Sequence, residues 1–215
     1  MEKKLNLSAM ELNNRIAAET RALLCGKGIF TVNIIGSPGC GKTAILEYTA
    51  NHFDERFAVI VGDVKTALDS DRIIRAGHDF AYPIETGGGC HLSAQMIRQK
   101  IAEIDLDKID FLFIENVGNL VCPSAYDLGE DLKIAVLSIP EGDEKVRKYP
   151  ALFLRAGVVI INKVDLLAYL EYDIERVKTD CLAHNPGVRI FETSTRTGVG
   201  LDRWLAFLQE QKKNR

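Results

Sequence analysis

The sequence predicts an α/β fold built on a mostly parallel sheet with helices on both faces. Short runs rich in Val, Ile and Phe alternate with segments of helical periodicity, as expected for parallel strands buried on both sides. The segment "GSPGCGKT", Gly36 to Thr43, lies between one such run and a helical segment and fits the pattern G-x-x-x-x-G-K-[ST]. With 47% hydrophobic content, 215 residues can fill one sizeable core, so a single domain over 1–215 is expected, with the nucleotide-binding core over 29–208.

The elements follow in order. Ser8 is placed to cap an amino-terminal helix over about 9–25, stopped at Gly26. "IFTVNIIG" reads as a buried strand ending at Gly36, and "TAILEYTANHF" as the helix after the loop. "FAVIVGD" is a second buried strand, closed by Gly62 and Asp63. Asp69 can cap a helix through "SDRIIRAG", which leads to the short strand "DFAYPIE". Helix "LSAQMIRQKIAEI", strand "DFLFIEN" and a loop containing Cys122 come next. Strand "LKIAVLSI", a loop with a short helix, and strand "AGVVIINK" continue the alternation. Helix "YDIERVKTDCLAH", strand "VRIFET" and helix "LDRWLAFLQEQKK" complete it, with "QEQKKNR" reading as a frayed end.

Composition excludes several classes. A net charge of −3 provides no bulk basic surface for nucleic acid. No apolar run approaches the roughly 20 residues that cross a bilayer, and the amino end has no apolar signal-peptide core, so a cytoplasmic protein is expected. Five cysteines, an odd number, argue against a disulfide framework, and their default role is as small buried hydrophobes. Cys25 and Cys181 fall in helices and read as core or partly buried; His52, His78 and His184 read as surface or capping residues, and Trp204 as packing.

In a loop of the P-loop NTPase type, Gly36, Gly39 and Gly41 let the backbone curl so that its N–H groups, with those of Cys40 and Ala44, converge on phosphate beside a helix N-terminus. Lys42 can reach the β- and γ-phosphates and the Thr43 hydroxyl can ligate Mg²⁺. Cys40 reads as a small filler within that loop.

"INKVD" ends a later strand at the same sheet edge. The Asp165 carboxylate can accept from the ring N–H and exocyclic amine of guanine, a paired donor edge that adenine lacks. Asn162 can bond the far side of the base, and the Lys163 stem can cover its face. In "ETSTRTGVG", Ser194 and Thr195 are expected to supply backbone N–H groups to the guanine. These residues point to GTP and GDP.

Glu115, ending "FLFIE", is read either as a Mg²⁺ contact through water or as an ordinary solvated strand-end glutamate; the Gly118 N–H can sense the γ-phosphate. Asp63 and Asp69 lie in a candidate switch segment. Asp63 is favoured as the Mg²⁺ ligand, leaving Asp69 to orient the attacking water or to cap a helix. No glutamine stands at the usual water-positioning place, so slow intrinsic hydrolysis is expected.

"TGGGCHL" places Cys90 beside His91 after three glycines. From the residues alone two readings stand: a buried cysteine next to a histidine, or two soft ligands turned toward one ion by a flexible loop.

With "GSPGCGKT", "GDV", "TGGGCHL", "FIENVGNLVCP", "DLGEDLKIAVLSIPEGDEKVRKYP" and "INKVDL" in this order, the chain resembles the HypB family, GTPases that assist nickel insertion into [NiFe]-hydrogenase. The resemblance runs from the first strand to Trp204. It implies a GTPase of the dimerising subclass, GTP-dependent homodimerisation with a metal site between protomers, and a nickel-enzyme precursor or companion metallochaperone as partner. It also implies that Cys90, His91 and Cys122 bind Ni²⁺ or Zn²⁺. Because Cys122 follows Gly118 closely, nucleotide state is expected to alter metal affinity. Three departures stand out: no Cys-rich or His-rich amino-terminal tract, Gln95 where many relatives carry a second histidine, and "TSTRTG" in place of the usual last loop. The competing function is a regulatory GTPase for a non-nickel metalloenzyme, a cobalamin- or urease-type accessory, with structural cysteines.

Overall fold

The structure, a computed structural model, describes residues 2–63 and 80–214. The expected helix "SDRIIRAG", with Asp69 and His78, lies outside the described residues.

Helix α1 spans Glu2–Gly26 and is followed by β1 (Phe30–Gly36), α2 (Lys42–His52), β2 (Phe57–Asp63) and β3 (Ala81–Glu85). Next come α3 (Ala94–Ile101), β4 (Phe111–Glu115), the one-turn α4 (Cys122–Ala125) and β5 (Leu132–Ser138). The one-turn helices α5 (Lys145–Lys148) and α6 (Pro150–Phe153), then β6 (Val158–Asn162), α7 (Ile174–His184), β7 (Arg189–Glu192) and α8 (Leu201–Lys213) complete the described strands and α-helices. The strands form one seven-stranded sheet in the order β3-β2-β4-β1-β5-β6-β7, and every recorded pairing is parallel. The sheet is thus wholly parallel among the described residues, beyond the mostly parallel sheet expected.

Each helix is explained by the face it buries. In α1, Asn13, Ala17, Thr20 and Leu24 recur at helical spacing and are buried, and Leu24 packs with Ile97 and Ile101 of α3 over β2 and β4. On another cluster Leu46, Phe53, Trp204 and Leu208 close over Phe111, Phe113 and Ile134. A third cluster sets Leu152, Phe153, Val177 and Cys181 against Leu137, Val159 and Ile161. Each large side chain buried this way contributes about 1.5–3 kcal/mol relative to exposure.

Several boundaries differ from the sequence expectation. Helix α1 runs back to Glu2, so Ser8 is inside the helix rather than its cap; Glu, Lys and Leu in "EKKLNL" are good helix formers. Helix α3 starts later than expected because the Ser93 hydroxyl caps it, accepting from the Met96 N–H, and it ends at Ile101 rather than Ile104. The single short helix expected before β6 is two, divided at Pro150, which has no N–H to continue the first. Cys122 opens α4 instead of sitting in a loop. Cys25 is exposed, because its neighbour Leu24 takes the buried position. His52 is exposed and stacked on Tyr48, whereas Trp204 is fully buried, as expected.

The carboxyl end is not frayed: α8 is helical through Lys213. Lys212 Nζ lies 2.8 Å from Asp110 Oδ1 and 5.2 Å over the Phe111 ring, fastening the last turn to the start of β4. Arg56 Nε donates to Asp110 Oδ2 at 2.7 Å and Nη2 to Oδ1 at 3.2 Å. The Arg56 hydrogen bonds, followed by that from Lys212, hold the Asp110 carboxyl down at about 2 despite partial desolvation.

A carboxylate whose folded pKa is depressed stabilises the fold above its unfolded pKa and loses that contribution as pH falls through the folded value. Asp110→Asn is therefore expected to lower unfolding free energy by about 1 kcal/mol at pH 7, after allowance for solvent screening. Urea melts of variant and parent should converge as pH falls from about 4 to about 2. An equal difference at both ends of that window would remove Asp110 as the anchor of α8.

Candidate nucleotide and metal site

The carboxyl ends of β1, β2, β4 and β6 carry Gly36, Asp63, Glu115 and Asn162 to one edge of the sheet. Pairing of Ile34 with Glu115 sets the acid beside the start of the phosphate loop. Gly41 has φ +105°, and a Cβ there would collide with the Asn162 amide, so the sharp turn into α2 requires glycine. Lys42 is buried, with Nζ 3.4 Å from both the Gly36 and Ser37 carbonyl oxygens. Its ammonium therefore lies within the curl of the loop. Ala44 is half-buried in the first turn of α2, and Gly39 is exposed on the loop crest.

Thr43 Oγ1 donates to Glu115 Oε1 at 2.8 Å, and Glu115 is 3% exposed. Burial excludes the solvated-glutamate alternative. The hydroxyl and carboxylate instead present oxygens from two elements to one point, the donor chemistry a hard divalent cation takes. Asp63 ends β2 in register with Glu85, at the same edge as Glu115. Asp69 lies outside the described residues. Gly118 rests on the phosphate loop: a Cβ would stand 2.8 Å from Pro38 Cγ. Cys40 is fully buried, and burial pushes its thiol up to about 11 against the opposing pull of Lys42. It fills space, as expected.

At the other end of the crevice, Lys163 adopts φ +63° and its Nζ donates to the Gly39 carbonyl at 2.6 Å, so its stem bridges the two loops. Asn162 is fully buried; Nδ2 donates to the Cys40 carbonyl at 3.1 Å and Oδ1 accepts from Thr193 Oγ1 at 3.3 Å. This amide is thus an internal tie between the phosphate loop and "INKVD". Ser194 departs from its expected role, because its backbone N–H donates to the Val199 carbonyl at 3.0 Å. Its hydroxyl contributes instead, donating to Asp165 Oδ1 at 2.6 Å and orienting that carboxylate. Asp165 and Thr195 are half-buried beside it.

Cys90, His91 and Cys122 come together, with one ligand atom from each lying within 4.8 Å of the others. Cys90 Sγ is 3.5 Å from His91 Nδ1, and the His91 ring stacks on Tyr126 with centroids 3.8 Å apart. Burial lowers the pKa of His91, favouring the neutral imidazole that can ligate a metal. The Cys90 thiol is pushed up, first by a hydrogen bond with Cys122, then by desolvation and the proximity of the second sulfur. Cys90 is exposed, so the buried-cysteine alternative fails for it. Two sulfurs and an imidazole are the donor set of a borderline or soft transition metal. Gln95 is exposed on the first turn of α3.

Sequence reasoning missed the polar scaffold behind these loops. Asn116 Nδ2 donates to Asn33 Oδ1 and Asn33 Nδ2 to Glu130 Oε1, both at 3.2 Å, while the Ala94 N–H donates to Asn13 Oδ1 at 2.9 Å. Asn33 in the middle of "FTVNIIG" is the one signal available beforehand, since an amide inside a doubly covered strand requires partners.

The nucleotide-binding domain of the CobW/HypB/UreG family matches residues 30–192. The hydrogenase maturation factor HypB of Escherichia coli (strain K12) is 42% identical over 211 residues, 97% of this chain and 72% of that protein. The hydrogenase/urease maturation factor HypB of Helicobacter pylori (strain J99) is 42% identical over 205 residues, 94% of this chain and 84% of that protein. A crystal structure of HypB from Helicobacter pylori in complex with nickel superposes with a TM-score of 0.90 at 41% identity, covering 94% of this chain and 95% of that one.

Exposure and thiol pKa together predict a labelling pattern. Brief alkylation of the folded protein near pH 7.5 should modify the exposed Cys25 first, Cys90 more slowly because Cys122 pushes its thiol up, and spare the buried Cys40 and Cys181, whose thiols burial holds at about 11 and about 12. Peptide mass spectrometry reads the outcome, and early labelling of Cys40 would contradict the closed phosphate loop.

Proposed function

The chain belongs to the HypB family of hydrogenase maturation factors, within the CobW/HypB/UreG nucleotide-binding proteins, and from that membership we propose how its residues perform the family's task. It is a HypB-type GTPase that assists nickel insertion into hydrogenase or a related nickel enzyme. The observation that carries the reading is the Cys90-His91-Cys122 cluster, set on segments adjoining the Glu115-to-Gly118 end of the nucleotide crevice.

In this reading the curled amides of Gly36 to Ala44 cradle the phosphates, and Lys42 lies against the β- and γ-phosphates. Asp165, oriented by Ser194, selects guanine, and the Lys163 stem covers the base. Thr43, Asp63 and Glu115 would hold Mg²⁺; the fit rests on the convergence of the Thr43 and Glu115 oxygens at 2.8 Å. Mg²⁺ would neutralise charge between the β- and γ-phosphates there. Asp69 remains a candidate for orienting the attacking water, and without a positioned glutamine turnover is slow.

Nickel is cargo, taken by Cys90, His91 and Cys122, with zinc competing for the same donors. A second protomer, recruited in the GTP form, would bring its own copy of the cluster nearby. Among the described residues, no helix is long and apolar enough to cross a membrane. The partners are hydrogenase-related proteins, either the enzyme precursor or a companion metallochaperone.

Two measurements test these assignments. Asp165→Asn should weaken GTP binding by roughly 100-fold or more and bring a relative gain for xanthosine triphosphate, whose carbonyl matches the new amide donor. A parent protein that prefers ATP would sink the guanine assignment. Cys90→Ala should weaken nickel binding by about 10-fold or more in equilibrium titration while fluorescent GTP-analogue binding persists. Unchanged nickel affinity would favour a regulatory GTPase with structural cysteines.

A further inference from the structure

We propose that Asn116 and Asn119 are positioning residues that clamp the backbone on both sides of His91 and transmit the state of the phosphate-sensing loop to the transition-metal ligands. This inference rests on the metal-binding reading above and adds two residues to it.

Asn119 Nδ2 donates to the Cys90 carbonyl at 3.3 Å. Asn116 Oδ1 accepts from the Leu92 N–H, also at 3.3 Å. These two groups belong to the peptide bonds immediately before and after His91, so one segment grips both. The His91 ring is further confined by its stack on Tyr126. Asn119 also spans the two ligand-bearing segments, because its Oδ1 accepts from the Val121 N–H at 2.9 Å, next to Cys122. One amide thereby sets the backbone of Cys90 relative to that of Cys122.

The clamp is firmly rooted. Asn116 is 1% exposed; Oδ1 also accepts from the Val117 N–H at 3.0 Å and Nδ2 donates to Asn33 Oδ1 in β1. Between the two asparagines lies Gly118, packed so closely on Pro38 that a Cβ would stand 2.8 Å from Pro38 Cγ. The clamp segment is therefore flush with the phosphate loop, and a displacement of Gly118 when the γ-phosphate arrives or leaves shifts the Asn119 jaw against the anchored Asn116 jaw. Ligand distances in a metal site must hold to about 0.2 Å, so a shift of a few tenths of an ångström at Cys90 and His91 is enough to change affinity.

Asn119→Asp separates this from a purely structural role. The substituted carboxylate still accepts from Val121 but cannot donate to Cys90. It also adds a negative charge near the ion, which by Coulomb attraction alone would tighten binding. The experiment is an equilibrium nickel titration of the full chain, loaded with GDP or with a non-hydrolysable GTP analogue, followed by near-ultraviolet sulfur-to-nickel charge transfer. The expected result is nickel affinity roughly 10-fold weaker, against the electrostatic direction, and a GDP-to-GTP affinity ratio reduced to within about 2-fold. The charge-transfer band should shift as the ligand geometry relaxes.

Asn119→Ala, checked by circular dichroism, should behave likewise and carries the test if the first variant does not fold. Parent-like affinity and ratio in both variants, or tighter binding in Asn119→Asp with the ratio intact, overturns the clamp. Failure of the parent itself to bind nickel overturns the metal reading on which the clamp rests. Parent binding that is equal in both nucleotide forms overturns the coupling while leaving the site.

Discussion

β1 runs parallel between β4 and β5, pairing Ile34 with Glu115 on one side and Gly36 with Val136 on the other. The site depends on that register. It seats the phosphate loop at the end of a central strand, with a buried acid one strand away and the Asn162 tie two strands away in the other direction. In a parallel sheet all strands deliver their carboxyl ends to one edge, so residues far apart in sequence can serve one ligand there. A slip of one residue in β4 would turn Glu115 to the opposite face and separate it from Thr43. The apolar side chains that fill both faces of the sheet are what make such a slip costly.

The same sheet contains an amide that it must satisfy. Asn33 is fully buried in β1, and leaving either end of its side chain unpaired would cost about 1–3 kcal/mol. Asn116 meets one end and Glu130 the other. Glu130 in turn accepts from the Leu128 N–H at 2.7 Å and pairs with Lys133 at 3.2 Å, both side chains being nearly buried. Removing one member of such a pair typically costs about 3–5 kcal/mol, because it strands the other charge. The network therefore stabilises one arrangement of β1, β4 and the turn before β5 more than it stabilises the folded state at large. Asn13 extends the ordering toward the Cys90–His91 segment by joining α1 to the Asp127 carbonyl and the start of α3.

Much of this was legible in the sequence because it depends on short-range rules. The strands were plain from their continuous apolar runs, and "GSPGCGKT" marked its own turn because Gly41 must adopt a positive φ. The ends of α1 and α8 were harder. Ser8 looked like a cap but lies inside a favourable helix, and Lys212 is held by Asp110, a contact between residues remote in sequence. The backbone role that the sequence suggests for Ser194 is excluded by its bond to Val199, since local sequence does not reveal which N–H groups a folded loop has already used. Cys90, His91 and Cys122 were found through an ordered set of motifs, because their spacing alone suits no familiar metal module. The asparagines that support them gave almost no local signal: an amide in a loop becomes informative once the peptide groups it binds are known.

The two candidate cation sites differ in the kind of donor they offer, which is what would let both operate within one loop system. The Thr43–Glu115 side offers oxygens, which suit a small hard ion that keeps several waters. The Cys90–His91–Cys122 side offers sulfur and nitrogen, with the imidazole held toward its neutral form by burial. Mg²⁺ has little affinity for thiolate and imidazole donors, whereas Ni²⁺ and Zn²⁺ favour them, so in the proposed reading chemistry rather than distance divides occupancy. Segregated sites can exchange information only through protein that touches both. The segment from Glu115 to Cys122 is that protein: it begins with an oxygen donor, passes against Pro38 at Gly118, and ends with a sulfur donor. Stiffness matters here because a segment free to relax at every residue would absorb a displacement at one end without delivering it to the other. The buried anchoring of Asn116 and the double hydrogen bonding of Asn119 limit that relaxation, which is what the proposed coupling requires of this stretch.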